Sequence, residues 1–325
     1  MQDWQPTASL STLKARATFI QTIRQFFIER QVLEVDTPAL SLGTVTDLHL
    51  DPFVCPFDYD PSCTKQNLYL QTSPEFAMKR LLAAGSGPIF QICKAFRHES
   101  AGRFHNPEFT ILEWYRTGFN DHDLMQELDQ LQQQLLGTSS ALKISYQNAF
   151  LEHLQFDPLT ISLDTLLAKV AEISDDDWLK SESKDTLLQW LFSTQIEPVL
   201  GQDNGHFTPC FVYDFPASQA SLARVSENDP RVAHRFELYY RGVELANGFY
   251  ELDNAAEQRR RFEDDNQLRK ADNKPQRPID ERFIAALEQG LPDCAGVAVG
   301  IDRLFMLAQS SRHIEEVLAF PVDRA

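Results

Sequence analysis

The stretch GVAVGIDRL, residues 296–304, sets the small residues Gly296, Ala298 and Gly300 at every second position. Side chains along a strand alternate between faces, so these three share one face, and that face is nearly bare. Glycine inside a strand costs stability and marks a place where something approaches the backbone closely. The strand runs directly into Asp302-Arg303, which sets a guanidinium at its end. Such a strand leaves room for something to lie against its backbone, with the Ala298 methyl as the one side chain on that face.

Upstream of this strand, a charged helix is expected from about Asp253 and a second one ending near Gly290. RFELYYRGVELANGFYEL (235–252) reads as a hairpin turning at Arg241-Gly242, and CFVYDFP (210–216) as a strand. PIFQICKAFRHE (88–99) and EFTILEWYR (108–116) read as an antiparallel pair joined by SAGRFHNP, a long and mobile connection. In LYLQTSPEFAMKRLLAAG (68–85) a strand and turn lead into a helix, with Ser73 as N-cap, Pro74 at the first position and Gly85 at the stop. VLEVDTPAL (32–40) is a short strand halted by Pro38. A helix from Ser11 follows from Leu13, Ala17, Ile20, Phe27 and Ile28. Residues 121–136 form another helix. Antiparallel strands flanked by helices define an α+β fold. The expected organisation is a short tail over 1–10 and one domain over 11–325, with a mostly helical insertion at about 137–205 that contains the acidic SDDDW.

The chain has 325 residues and is 43% hydrophobic, ample for a globular core. It has no apolar run approaching the roughly 18 residues a membrane span needs, and its N-terminus lacks the layout of a signal peptide. A cytoplasmic protein is expected. The five cysteines (55, 63, 93, 210, 294) are odd in number and form no CxxC, so inert thiols are expected. Thirty Lys and Arg against 47 Asp and Glu give a net charge of −17. Such a chain repels nucleic acid at long range and attracts a basic partner.

On the first hairpin, Arg97 and Glu99 lie two apart and share a strand face, followed by His105, Phe109, Glu113 and Tyr115. Arginine grips phosphate, a glutamate accepts from an exocyclic amine, and phenylalanine offers a stacking plane. A solvated hairpin carries similar charges, and spacing alone favours that plainer reading. The second hairpin adds Glu237, Glu244, Asn247 and Glu251; carboxylates near a triphosphate hold Mg²⁺, and carboxylates on an edge strand also oppose aggregation.

Taken together and in this order, the segments resemble the class II aminoacyl-tRNA synthetases. FRHESAGRFHNPEF is similar to their motif 2, GVAVGIDRL to motif 3 and FFIERQVLEVDTPAL to motif 1. TSPE, HNPEFT and ELANGF bring the resemblance closest to the lysyl-tRNA synthetase catalytic core, over about residues 11–325. The resemblance implies ATP and Mg²⁺. Arg97 would hold the α-phosphate and Glu99 the adenine amine. His105 and Asn106 would sit at the triphosphate, and Phe109 would stack on adenine with Arg303 on its other face. His98, Leu245 and Gly300 complete the implied ATP set, although the synthetases usually have Asn at the position of His98. Glu244 with Glu237 would coordinate Mg²⁺. Glu251 would pair with the side-chain ammonium of a lysine-like substrate. Ser73, Pro74, Glu75, Glu113, Tyr115, Asn247 and Ala298 would line the rest of its pocket. Arg97 and Arg303 are the implied catalytic pair.

The lysyl-tRNA synthetases carry an OB-fold before motif 1, for which no room is expected here. Such truncated cores resemble the elongation factor P–lysine ligases, which pass a β-lysyl group from its adenylate to a lysine of elongation factor P. An acidic enzyme suits a basic acceptor loop, and tRNA is not expected as a partner. Ala298, where the synthetases usually have glycine, would crowd an α-amine and favour (R)-β-lysine; a merely tolerated strand alanine is the other reading. Motif 1 implies a homodimer. A bare core that charges tRNA and a catalytically silent regulatory relative also stay open, although Arg97, Glu99, Phe109, Glu244 and Arg303 are all retained.

Overall fold

The computed structural model describes residues 4–58 and 66–325; residues 1–3 of the tail and Cys63 lie outside them. The chain forms two compact units, Met1–Asn120 with Leu252–Ala325, and Asp121–Glu251.

The first unit is built on the strands Ile89–Phe96, Glu108–Thr117 and Cys294–Gly300, paired antiparallel in that order. Leu33–Glu34 adds a short parallel strand beside Ile89. The helix Leu10–Glu29 covers one face. Its buried stripe is Phe19, Ile23, Phe26 and Phe27, while Ile28 is 60% exposed. That i, i+4, i+7, i+8 set corrects the apolar face expected from the sequence, since it is the one that meets the sheet. Phe27 stacks on Phe90 with centroids 4.6 Å apart and meets Trp114 edge-on at 5.1 Å. The end of the tail is pinned: the Thr7 and Ala8 amides donate to Ala319 O and Leu318 O. The helices Glu75–Ala83 and Glu281–Gln289 join through Phe76 and Phe283, stacked at 4.5 Å.

The second unit pairs the strands Glu244–Tyr250, Val232–Tyr239 and Cys210–Pro216 antiparallel, with Leu142–Ser145 parallel to the last. Arg241 (φ 54°) and Gly242 (φ 69°) make the hairpin turn, the left-handed pair that suits a two-residue loop between twisted strands. Residues 137–205 contribute the helices Tyr146–Leu154, Leu163–Ala171 and Lys184–Leu191. Ser145, Ser162 and Ser183 cap them, each accepting the amide three residues on. Their apolar faces close over the sheet through Tyr146, Phe150, Leu187, Phe192 and Phe215.

Two local expectations change. Strand pairing ends at Phe96, so Arg97 and Glu99 are not successive same-face strand residues. Pro107 has no N–H to continue the ladder; the Arg97 amide donates to Pro107 O, and the next amide, His98 N, donates to Asp51 O. The connection 97–107 is also fastened along its length rather than loose. Gly102 N bonds His105 O, Arg103 O accepts from Ile314 N, and Arg103 Nε donates to Arg312 O.

Candidate active site

The candidate residues fall in both units and are described unit by unit.

In the first unit, the register sets Ala298 opposite Glu113, Gly296 opposite Tyr115 and Gly300 opposite Ile111. Glu113 faces Gln91 on its other side, and Phe109 faces Ala95. Phe109, Glu113, Tyr115, Ala298 and Gly300 therefore share one face, opposite the face that Trp114 turns to the Leu10–Glu29 helix. A Cβ at Gly300 would only touch Arg303 side-chain carbons at 3.8–3.9 Å. The bareness there is not demanded by packing within the chain.

Glu113 is the centre of this face. It is 2% exposed, and Ser73 Oγ donates to its Oε2 at 2.8 Å while Tyr115 OH donates to Oε1. Burial, and next the charge of Glu75, push its carboxyl up to about 8. Ser73 Oγ also accepts the Glu75 amide at 3.0 Å, and the helix itself begins at Glu75 with Pro74 as its cap residue. Lys79, one turn on and 1% exposed, donates Nζ to Glu75 Oε1 at 2.6 Å. Lys79 was absent from the sequence reading, although its i, i+4 spacing from Glu75 was there to find.

At the end of the bare strand, Arg303 sits in the first turn of the helix Ile301–Ala308. Its Nη2 lies 2.7 Å from His105 Nε2, and its Nε donates to Phe104 O at 3.1 Å. Burial, followed by the Arg303 charge, holds the His105 ring below the ordinary imidazole value, and the charges of Glu99 and Arg97 also reach it. His105 thus stays neutral and accepts from the guanidinium. The Arg97 guanidinium lies 5.0 Å from the Phe109 ring centroid. Arg97, Glu99, His105, Phe109 and Arg303 are brought together as one cationic and aromatic cluster. Asp302, to which the sequence assigns no role, anchors it: Oδ2 accepts the Thr110 amide at 2.7 Å and Oδ1 meets Arg16.

Two expected members do something else here. Both ends of the Asn106 amide are committed to the fold, Nδ2 to Glu108 O and Oδ1 to the Val322 amide. His98 packs its ring edge-on against Phe53 at 5.1 Å.

In the second unit, Glu237 lies opposite Asn247, and both oxygens of Glu237 are engaged, by Arg235 Nη2 and by Tyr239 OH. Burial pushes the Glu237 carboxyl up, and the Arg235 charge opposes it. Register then slips: Ala246 pairs with Leu238, but Glu244 pairs with Tyr239. Leu245 is the extra residue of this bulge. The slip sets Glu244 opposite Tyr239 and so on the face of Glu237, where simple alternation from Asn247 would put it on the other side. The Glu244 charge accordingly acts on Glu237. Leu245 itself is buried, 2% exposed. Asn247 Oδ1 is buried without a hydrogen bond, and Glu251 is 1% exposed. Carboxylates and amide oxygens are the hard donors that Mg²⁺ takes; since Arg235 and Tyr239 already engage both Glu237 oxygens, Glu237 would hold the ion only through its remaining lone pairs.

Among the described residues Cys55, Cys93, Cys210 and Cys294 form no disulfide, and burial pushes the Cys93 and Cys210 thiols up to about 12. Among the described residues no helix is long and apolar enough to cross a membrane.

A family model described as tRNA synthetases class II (D, K and N) matches residues 2–324, so the chain is built as a class II synthetase core. It is 55% identical, over all of its length and 99% of the relative's, to the elongation factor P–(R)-β-lysine ligase of Edwardsiella ictaluri. It is 56% identical to the ligases of that name from Pseudoalteromonas translucida, over 99% of this chain and 98% of the relative, and Vibrio cholerae, over 99% of each. The chain belongs to the elongation factor P–(R)-β-lysine ligase family.

Proposed function

We propose that this protein is an ATP-dependent ligase that activates (R)-β-lysine as its adenylate and transfers it to a lysine ε-amine of elongation factor P. The observation that carries the reading is the buried Glu113 carboxyl directly opposite Ala298, with Ser73, Tyr115, Glu75 and Lys79 arranged around it. A buried acid pair beside a bare strand suits an amine-bearing substrate, and the methyl of Ala298 narrows the place where an α-amine would sit.

In the first step, the β-lysine carboxylate attacks the α-phosphorus of ATP. The bond to the β-phosphate breaks and pyrophosphate leaves. The nucleophile is already ionised, so alignment and charge neutralisation are the protein's contribution. Arg97 and Arg303 supply positive charge to the phosphates, and Phe109 a stacking plane to adenine. In the second step the acceptor amine attacks the acyl carbon, AMP leaves, and the nitrogen loses a proton to form the amide. Glu244 and Glu237 are the residues that would hold Mg²⁺, which screens the triphosphate charge when bound. Glu251 is assigned to the distal ammonium of the substrate. The net charge of −17 favours a basic protein acceptor over tRNA. We assign the Leu10–Glu29 helix to a homodimer contact, to be checked by sedimentation.

ATP–pyrophosphate exchange with (R)-β-lysine and α-lysine, followed by transfer to elongation factor P or to tRNA, tests the reading. Exchange favouring β-lysine and labelling of the protein acceptor are expected. Transfer to tRNA alone would replace it with a synthetase.

A further inference from the structure

We propose that Asp121, Asp214 and His234 form a binding site for one divalent transition-metal ion, Zn²⁺ in the first instance, separate from the residues assigned to nucleotide and amino acid. One ligand atom from each, two carboxylate oxygens and an imidazole nitrogen, lie within 4.8 Å of one another. One imidazole and two carboxylates are a donor set that Zn²⁺ accepts in tetrahedral sites, with water in the remaining position.

Three separate elements deliver the ligands. Asp121 is the first residue of the helix Asp121–Leu136 and is 2% exposed. His234 lies on the strand Val232–Tyr239, and its Nδ1 is 3.3 Å from Asp121 Oδ2. Asp214 lies on the strand Cys210–Pro216, where the pairing with Val232–Tyr239 slips between Tyr213 and Phe215. At that slip Asp214 takes φ 56°, in the left-handed region. Few non-glycine residues adopt that conformation, aspartate and asparagine most readily. Asp121 is accounted for by His234. Asp214 brings its own carboxylate oxygen within 4.8 Å of both. The bulge thus brings a second carboxylate to a buried one, with an imidazole nitrogen within 4.8 Å of both. The two carboxylates meet His234, with His122 and Arg224 also acting on the group, and a metal ion would bridge all three ligand atoms. The bound ion would clip the helix to two strands of the sheet.

The inference does not depend on the ligase reading, and its test needs no substrate. The full-length chain is stripped with chelator, incubated with Zn²⁺ in the absence of nucleotide, desalted and assayed for metal; Co²⁺ serves as a spectroscopic probe of coordination. One equivalent of Zn²⁺ and tetrahedral Co²⁺ bands are expected. Asp214→Asn and His234→Ala should each weaken binding at least tenfold, while Glu244→Gln should leave it unchanged. Asparagine tolerates the left-handed backbone, so Asp214→Asn tests the ligand and not the fold; circular dichroism checks this. Absence of stoichiometric metal in the wild-type chain, or retention undiminished in both variants, would overturn the site.

Discussion

Glu113 stands directly across the strand pair from Ala298. The one methyl on the bare face is therefore set beside the buried acid that a substrate amine would seek, and selectivity between lysine isomers turns on that pairing.

Ala298→Gly should shift preference toward α-lysine. A methylene-sized change in a pocket wall is worth roughly 1–3 kcal/mol, so the ratio of kcat/KM for β- over α-lysine should fall about tenfold or more. Pyrophosphate exchange measures it, and an unchanged ratio would remove Ala298 from the specificity argument.

Glu113 should make the free protein less stable as pH rises from about 5 to 8. Its carboxyl titrates at about 8 in the folded chain and at the ordinary glutamate value of 4.5 when unfolded. Between those values the folded state holds the extra proton. Stability is therefore lost with rising pH, by at most about 1.4 kcal/mol per unit. Urea melts across this range should show the slope, and Glu113→Gln should flatten it; equal slopes in both would mean that Glu113 titrates normally.

Lys79 is 1% exposed and Glu75 only 16%. Removing one partner of a buried ion pair costs about 3–5 kcal/mol. Lys79→Met should cost near the lower figure, because Glu75 keeps some water, and adding Glu75→Gln should recover part of the loss. Denaturant midpoints decide; a loss under about 1 kcal/mol in the single variant would show that the pair is not needed.

Arg303→Lys keeps the charge and loses the planar fork that reaches both His105 and Phe104 O. A lysine at such a site is not conservative. Adenylate formation should drop by about 10²-fold, the scale of losing one preorganised electrostatic contact, with the melting temperature nearly unchanged. Wild-type exchange rates in this variant would exclude Arg303 from the phosphate cluster.

Much of the frame was legible because it depends on local chemistry. The bare strand and the Arg241-Gly242 turn each follow from spacing and backbone preference over a few residues. Three things escaped. The slip that takes up Leu245 is invisible in an alternating pattern, yet it decides which face Glu244 occupies. The loop 97–107 carries turn residues and reads as mobile, because its fastenings, Ile314, Arg312 and Val322, lie about two hundred residues away. Lys79 reads as an ordinary surface cation until Phe283 and Glu75 close around it.

By itself, the sequence determined the strand and helix order, the acidic balance and the family, because periodicity, capping and motif spacing are written in neighbouring residues. Only the tertiary structure decided that Glu113 is buried enough to hold its proton, that both oxygens of Glu237 are taken, and that Asp214 meets Asp121 and His234. Those outcomes depend on cross-strand register and on the exclusion of water, and both are set by contacts between residues far apart in the chain.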